Sequence, residues 1–369
     1  MSDTRGPLDG VRVVEIAEGV AGPQAGLLLA DLGAQVCKLE PPAGDRSRAW
    51  RDGELVFRVL NRNKAGAVVT GTADALALAR QADVVVIDTD ALARWPALAP
   101  LVDEPVNVVL RISLFGAEGP MAGLPVAELP AQLLAEATAS VGDAAHPGRA
   151  GVDIGSTYAG IFGAQGVCAA LLAGGPDVVD VSLVGALLMM RSTLWVALSS
   201  PDEWWGFHLE SYHRPPFRGY ACADGRVYFD MRHAASVDWD AFLTELGLTG
   251  ARDDPRQREI MMGGAGPGAR YADAATPVWE QAFRRMTMAE VTEVVTRHGG
   301  DVFRVNDYPQ LLAEPQVAAA GNVAPARGAV PAHIRPPWEF SATPVPDATA
   351  APPLGGAIAD AGWTTGGTS

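Results

Sequence analysis

The chain has 369 residues, 28 basic and 43 acidic side chains, a formal net charge of −15, and 48% hydrophobic against 19% charged residues. At roughly 150 residues per domain this length predicts two domains with a sizeable core, and the composition excludes a disordered chain. The acidic balance argues against nucleic acid as a partner, because phosphate backbones are met by clustered positive charge.

Three scattered cysteines, Cys37, Cys168 and Cys222, have no spacing that implies a disulfide framework or a zinc site. No unbroken apolar run reaches the roughly 18 residues of a membrane helix. The opening Met1-Ser2-Asp3-Thr4-Arg5-Gly6-Pro7 lacks the apolar stretch of a signal peptide. The expectation is a cytoplasmic enzyme with no membrane partner. Only two basic residues are lysines, Lys38 and Lys64, and the first 64 residues carry nine basic and nine acidic side chains. The net negative charge therefore lies downstream, and an anionic ligand is repelled least by the N-terminal part.

In chain order, Val11–Ile16 reads as a buried strand, followed by a loop from Ala17 to Gly22 and a helix with Pro23 in its first turn. Leu27, Leu28, Leu29 and Leu32 give that helix an apolar face, and Gly33 ends it. Ala34–Leu39 is the next strand, and Gly66–Thr70, Val84–Asp88 and Asn107–Ile112 follow, separated by helical or loop segments. This alternation predicts a parallel sheet with helices on its faces. A helix over Thr157–Ala173, a strand over Val178–Leu183 and an apolar helix over Val184–Leu198 come next.

The texture changes near Pro201, with an aromatic, proline-rich linker from Trp204 to Phe217. Tyr220–Phe229 then reads as a hairpin turning at Asp224-Gly225. Helices near Val237–Leu246, Val278–Met286 and Met288–Arg297 complete a smaller α+β domain, Gly263–Gly268 is a flexible loop, and the tail from Asn322 is an extended arm. The predicted organisation is a large domain of residues 1–200, completed by 322–369, and a small domain of 201–321.

The loop Gly19-Val20-Ala21-Gly22-Pro23 feeds a helix N-terminus, where free N–H groups and the dipole favour an anion, but it has no G-x-G-x-x-G fingerprint. It is either a ligand loop or an ordinary strand-helix turn. Asn61-Arg62-Asn63-Lys64 is either a phosphate cradle or a polar turn. Six histidines show no metal spacing, and Ser156 and Ser182 stand in no G-x-S-x-G elbow. Asp153-Ile154-Gly155-Ser156 precedes the long helix, either as a nucleophile or base near its N-terminus or as a capping segment with Ser156 as N-cap.

These residues resemble family III CoA-transferases (CaiB/BaiF-like), a superfamily shared with α-methylacyl-CoA racemases. The resemblance rests on Pro7–Val13, Ala21-Gly22-Pro23, Leu29–Ala34, Lys38-Leu39-Glu40-Pro41-Pro42 with Gly44-Asp45, and Asn61–Lys64. Downstream it continues through Phe115-Gly116, Gly119-Pro120, Val179–Leu183, Ala223-Asp224-Gly225 and Pro353-Leu354-Gly355. It implies an α/β fold: an open Rossmann-like large domain, a smaller α+β domain, and two chains interlocked as a dimer. It also implies that coenzyme A and acyl-CoA are substrates, with a small carboxylic acid as acceptor and no permanently bound cofactor. Val20 and Ala21 match positions that contact the nucleotide part of CoA, and Arg94 matches an arginine on its phosphates.

The family's reaction passes through an aspartate that attacks the thioester, giving a mixed anhydride and then an enzyme-bound CoA thioester. That aspartate falls on Ser156, and the nearest carboxylate in sequence is Asp153. The racemase His and Asp positions fall on Ala127 and on Gly155 or Ser156, with Glu128 adjacent to the first. The loop after Val84–Asp88 is shorter than usual by about three residues and lacks the segment that borders CoA. Three readings follow: a CoA-transferase working through Asp153 or Ser156, a catalytically degenerate CoA-binding subunit paired with a competent homologue, or other acyl-CoA chemistry such as isomerisation, racemisation or lysis.

Overall fold

A computed structural model describes residues 6–138, 148–192, 219–231, 237–253, 272–343 and 345–356. The chain forms two compact units, one of residues 1–190 with 320–369 and one of residues 191–319. The predicted linker Trp204–Phe217 and the loop Gly263–Gly268 lie outside the described residues.

In the larger unit the first strands and helices are β1 (Arg12–Ile16), α1 (Ala21–Asp31), β2 (Gln35–Glu40), α2 (Leu55–Leu60), β3 (Lys64–Val68), α3 (Thr72–Ala79), β4 (Val84–Asp88) and α4 (Thr89–Arg94). They are followed by α5 (Pro100–Asp103), β5 (Val108–Ser113), α6 (Glu128–Leu134), α7 (Ile154–Ala173), β6 (Asp177–Ser182) and α8 (Leu183–Met190). The six strands are all parallel, in the order β3-β2-β1-β4-β5-β6. This is the doubly wound Rossmann order, whose direction reverses between β1 and β4. The central strands are apolar on both faces because helices cover both. Val13, Val84, Val86 and Leu110 pack on the side that holds α1 and α7, and Val14, Val85, Ile87 and Val109 on the side that holds α3 and α4.

Small residues let α7 lie close on the sheet and on α1. A Cβ at Gly160 would come 2.8 Å from the Ala21 carbonyl oxygen and 2.7 Å from the Gln24 Cβ, and one at Gly163 would press on Leu110. At 20 residues α7 is by length and composition able to cross a membrane, although Ser, Thr, Gly and Gln interrupt it so that it holds no unbroken apolar run. Gly155, Ser156, Gly160 and Gly163 are buried against neighbouring elements, so the helix packs on one face of the sheet.

The smaller unit has an antiparallel sheet of β7 (Tyr220–Ala221), β8 (Arg226–Asp230) and β9 (Asp301–Arg304), ordered β7-β8-β9. The predicted hairpin forms, with Tyr220 opposite Val227 and the Cys222 N–H donating to the Gly225 carbonyl at 2.8 Å. Helices α9 (Trp239–Glu245), α10 (Ala272–Phe283) and α11 (Met288–Arg297) enclose a core around Phe242, Trp279, Phe283 and Val291. The arm after Asn322 carries one short antiparallel pair, β10 (Val323–Ala324) with β11 (His333–Ile334).

Candidate active site

The C-terminal edge of a doubly wound sheet is where ligands bind, at the switch point between the two strands that diverge. Here those strands are β1 and β4. After β1 the chain turns at Gly19 (φ +81°), where a side chain would also strike the Arg46 guanidinium. Val20 is the N-cap of α1 and offers no side-chain cap, so the N–H groups of the first turn point toward the edge. Ala21 is buried in the core.

Asp88 closes the other side. It ends β4 and caps α4 directly, accepting the Glu18 N–H at 3.0 Å and the Ala91 N–H at 2.7 Å. No loop intervenes, which is the structural form of the shortened segment noted in the sequence. Burial pushes the Asp88 carboxyl up to about 6, and the two N–H bonds offset only part of it. Arg94, at the end of α4, is half-exposed and ion-paired with Glu18. Arg46 is likewise half-exposed and pairs with Asp90 at 2.9 Å, whose other oxygen accepts the Val126 N–H at 3.0 Å. Val20, Ala21 and Arg94 are thus brought to one edge, and Arg94 lies on a carboxylate of the same crevice.

Beneath this edge both lysines are buried on one carboxylate. Glu15 accepts Lys38 at 2.9 Å and Lys64 at 2.7 Å, and all three side chains are fully buried. Lys38 also meets Asp45 at 2.8 Å, and Lys64 also donates to the Asn61 side chain and the Pro23 carbonyl. Arg62 pairs with Asp31 at 2.6 Å, and the Asn63 amide donates to the same carboxylate. Asn61–Lys64 is therefore a polar turn knotted into the interior, and the phosphate-cradle alternative has no free cation there. Lys38, Lys64 and Arg62 are spent on buried carboxylates.

At the start of α7 the arrangement differs from the expected one. The helix begins at Ile154, with Asp153 at the N-cap making no side-chain cap bond. Ser156 is the third helical residue and not the N-cap. Asp153 pairs with Arg149 at 2.7 Å. The carboxylate that reaches Ser156 comes from Glu128, the first residue of α6. Its Oε2 accepts both the Ser156 N–H and the Ser156 hydroxyl at 2.8 Å, and its Oε1 accepts the Gly155 N–H at 2.9 Å. The Gln132 amide, one turn along α6, donates to Oε1 at 2.7 Å and to the Val152 carbonyl at 3.2 Å. The Gln132 carbonyl oxygen in turn accepts the Ala150 N–H at 3.1 Å. Glu128 thus caps α7 from a distance, where orphan N–H groups and the dipole favour negative charge.

Sequence reasoning noted Glu128 only as a neighbour of the racemase histidine position. The one signal that could have found it is its spacing to Gln132, which puts both side chains on one face of α6. Among the described residues, no group of three His, Cys, Asp or Glu side chains is placed to hold a metal.

The strand order places the larger unit among doubly wound α/β folds, with a carboxylate held on helix N–H groups at the start of α7. Residues 8–357 match CoA-transferase family III, and the chain belongs to that family. It is 27% identical to the succinate–glutarate CoA-transferase of Agrobacterium fabrum, over 96% of this chain and 94% of that one. It is 32% identical to the succinyl-CoA–D-citramalate CoA-transferase of Chloroflexus aurantiacus, over 51% of this chain and 52% of that one. Its fold is similar to the crystal structure of a CaiB/BaiF family protein from Brucella suis, with a TM-score of 0.75 and 23% identity, covering 95% of this chain and 97% of that chain. The chain is an enzyme of the CoA-transferase class.

Proposed function

We propose that the protein moves CoA from an acyl-CoA thioester to a small carboxylic acid through an enzyme-bound intermediate formed at the N-terminus of α7. The observation that carries this reading is a half-buried carboxylate held there by two backbone N–H groups and a hydroxyl, on a chain of this family. Such donors stabilise the oxyanions of each acyl-transfer step. The CoA nucleotide would lie at the β1–β4 crevice, on the N–H groups at Val20 and Ala21, with Arg94 on its phosphates. No permanently bound cofactor is needed, because CoA enters and leaves as substrate.

Asp153, the carboxylate nearest to Ser156 in sequence, is engaged with Arg149, and Ser156 acts here as a donor. The names of the two relatives above point to succinyl-CoA as CoA donor and a dicarboxylic acid as acceptor. The family resemblance supports a cytoplasmic homodimer of interlocked chains. The deciding experiment incubates the purified chain with succinyl-CoA and glutarate and follows glutaryl-CoA by chromatography. Formation of the new thioester is the expected result. No exchange with any member of a panel of small mono- and dicarboxylic acids would refute the transfer reading.

A further inference from the structure

We propose that Glu128 is the covalent carboxylate of this enzyme, a role that rests on the transfer reading above. The family's reaction needs a carboxylate at the start of this helix, and the sequence puts a serine there. The fold supplies the missing group from α6. The Glu128 oxygens sit on the Gly155 and Ser156 N–H groups and on the Ser156 hydroxyl at 2.8–2.9 Å. The Asp153 side chain makes no cap bond to that helix start and lies on Arg149.

The two Glu128 oxygens have different partners, and the difference suits two roles. Oε2, on Ser156, is the attacking atom: it bonds to the acyl carbon as the C–S bond breaks and CoA leaves as thiolate. The product is a mixed anhydride with Oε2 as its bridging atom. Oε1 becomes the carbonyl oxygen of the glutamyl half and keeps its Gly155 N–H and Gln132 amide donors. The thiolate then attacks the glutamyl carbonyl carbon, charge builds on Oε1 inside that pair of donors, and the first acid departs as carboxylate with Oε2. The enzyme now carries a glutamyl-CoA thioester. An acceptor carboxylate reverses the sequence: it displaces the thiolate to form a new anhydride, and the thiolate attacks the acceptor's acyl carbon. Glu128 is regenerated with one oxygen from the acceptor. No oxidant, reductant or further reactant is required.

Gln132 is a positioning residue in this scheme. It ties the Glu128 carboxylate to the Val152 carbonyl and the Ala150 N–H, which lead into α7.

The test uses the full-length purified protein with succinyl-CoA as probe. The enzyme is incubated with succinyl-CoA, quenched with hydroxylamine, digested and mapped by mass spectrometry. A hydroxamate on Glu128 is expected, and with ¹⁸O-labelled glutarate as acceptor the label should appear in the same side chain. Glu128→Gln, which keeps the shape of the residue, should lose about 10⁴-fold of exchange, as removal of a covalent nucleophile does. Its circular dichroism should match the parent, and Glu128→Asp should give a partial loss. A hydroxamate on Asp153, an acyl ester on Ser156, or exchange retained in Glu128→Gln would overturn the assignment while leaving CoA transfer itself in place. Absence of exchange in the parent protein would overturn both.

Discussion

Gly26 of α1 faces the Glu15 carboxylate so closely that a Cβ would overlap Oε2. That oxygen is the one that binds Lys64, and it has no freedom to retreat because Glu15, Lys38 and Lys64 are all fully buried. The helix approaches the sheet this closely only because residue 26 has no side chain. Gly26→Ala is therefore expected to destabilise the fold by about 2–4 kcal/mol, the size of an overpacked core that also disturbs a buried pair. Denaturant unfolding of the variant checks it, and a midpoint equal to the parent's would show that α1 can shift at no cost.

The same carboxylate predicts a second loss. Two ammonium groups share Glu15, and Asp45 reaches only Lys38. Their mutual repulsion shows in Lys64, whose amine is lowered to about 8, chiefly by burial and also by Lys38. Glu15→Gln leaves Lys64 buried with only neutral acceptors, and breaking one side of a buried pair costs about 3–5 kcal/mol. Chemical denaturation below neutral pH measures it, and the loss should shrink as pH rises toward 8, because Lys64 without Glu15 releases its proton below the parent's value of about 8.

Two buried aspartates give opposite pH slopes. Asp45 is held down to about 2 against the penalty of burial by Lys38 and the Ser47 hydroxyl and N–H. Its folded value lies below the unfolded one, so its stabilisation is present above pH 4 and disappears as pH falls toward 2. The loss is about 2 kcal/mol. Asp88, pushed up to about 6 by burial, binds a proton in the folded state that the unfolded chain has released. Its contribution is present below pH 4 and is lost as pH rises through 6, by about 3 kcal/mol. Unfolding free energies between pH 2 and 7 should lose the rising limb in Asp45→Asn and the falling limb in Asp88→Asn. Unchanged curves would remove both assignments.

The crevice predicts a pair of opposite effects on CoA affinity. Arg94 lies on Glu18, so under the proposed binding mode a CoA phosphate would compete with that carboxylate for the guanidinium. Arg94→Ala should weaken CoA binding by about 1–3 kcal/mol, the worth of a charge-assisted hydrogen bond. Glu18→Gln should strengthen it by releasing the cation and removing a like charge. Calorimetric titration reads both. Equal affinity in the two variants would move the phosphates away from Arg94.

Much of the fold was legible from periodicity, and the reason is local. Val84–Asp88 is β4 as read, Met288–Arg297 is α11 as read, and the Asp224-Gly225 hairpin forms because its turn chemistry is contained in four residues. The start of α7 was not legible. Gly155 and Ser156 look like a capping segment, which placed the first helical residue at Thr157, three residues late. The cap that allows the helix to begin at Ile154 comes from Glu128, far back in the chain and on another helix. For the same reason Asp153, close in sequence but bound to Arg149, looks like the replacement carboxylate from sequence alone. Likewise, nothing in Asn61–Lys64 reveals that Asp31 and Glu15, brought over by α1 and β1, claim its cations.

The remaining prediction concerns the hydroxyl of Ser156. It donates to Glu128 Oε2, the atom that becomes the bridging oxygen of the anhydride and departs with the first product acid. Charge on that oxygen grows as its bond to the glutamyl carbon breaks and the first acid departs, so a donor placed there helps the transition state more than the neutral anhydride. Ser156→Ala removes the hydroxyl but keeps the Ser156 N–H bond to the same oxygen and the Gly155 N–H bond to its partner, so α7 and the carboxylate should stay in place. The expected result is a fall in kcat of about 10²-fold, or near 2.7 kcal/mol of transition-state stabilisation, with KM for acyl-CoA little changed. Ser156→Thr, which restores the donor, should recover most of the loss. A serine that carried the acyl group itself would behave differently: Ser156→Ala would abolish turnover, and no hydroxamate would form on Glu128. Steady-state kinetics of the two variants, read with the trapping result, therefore separates a donor from a nucleophile at this position.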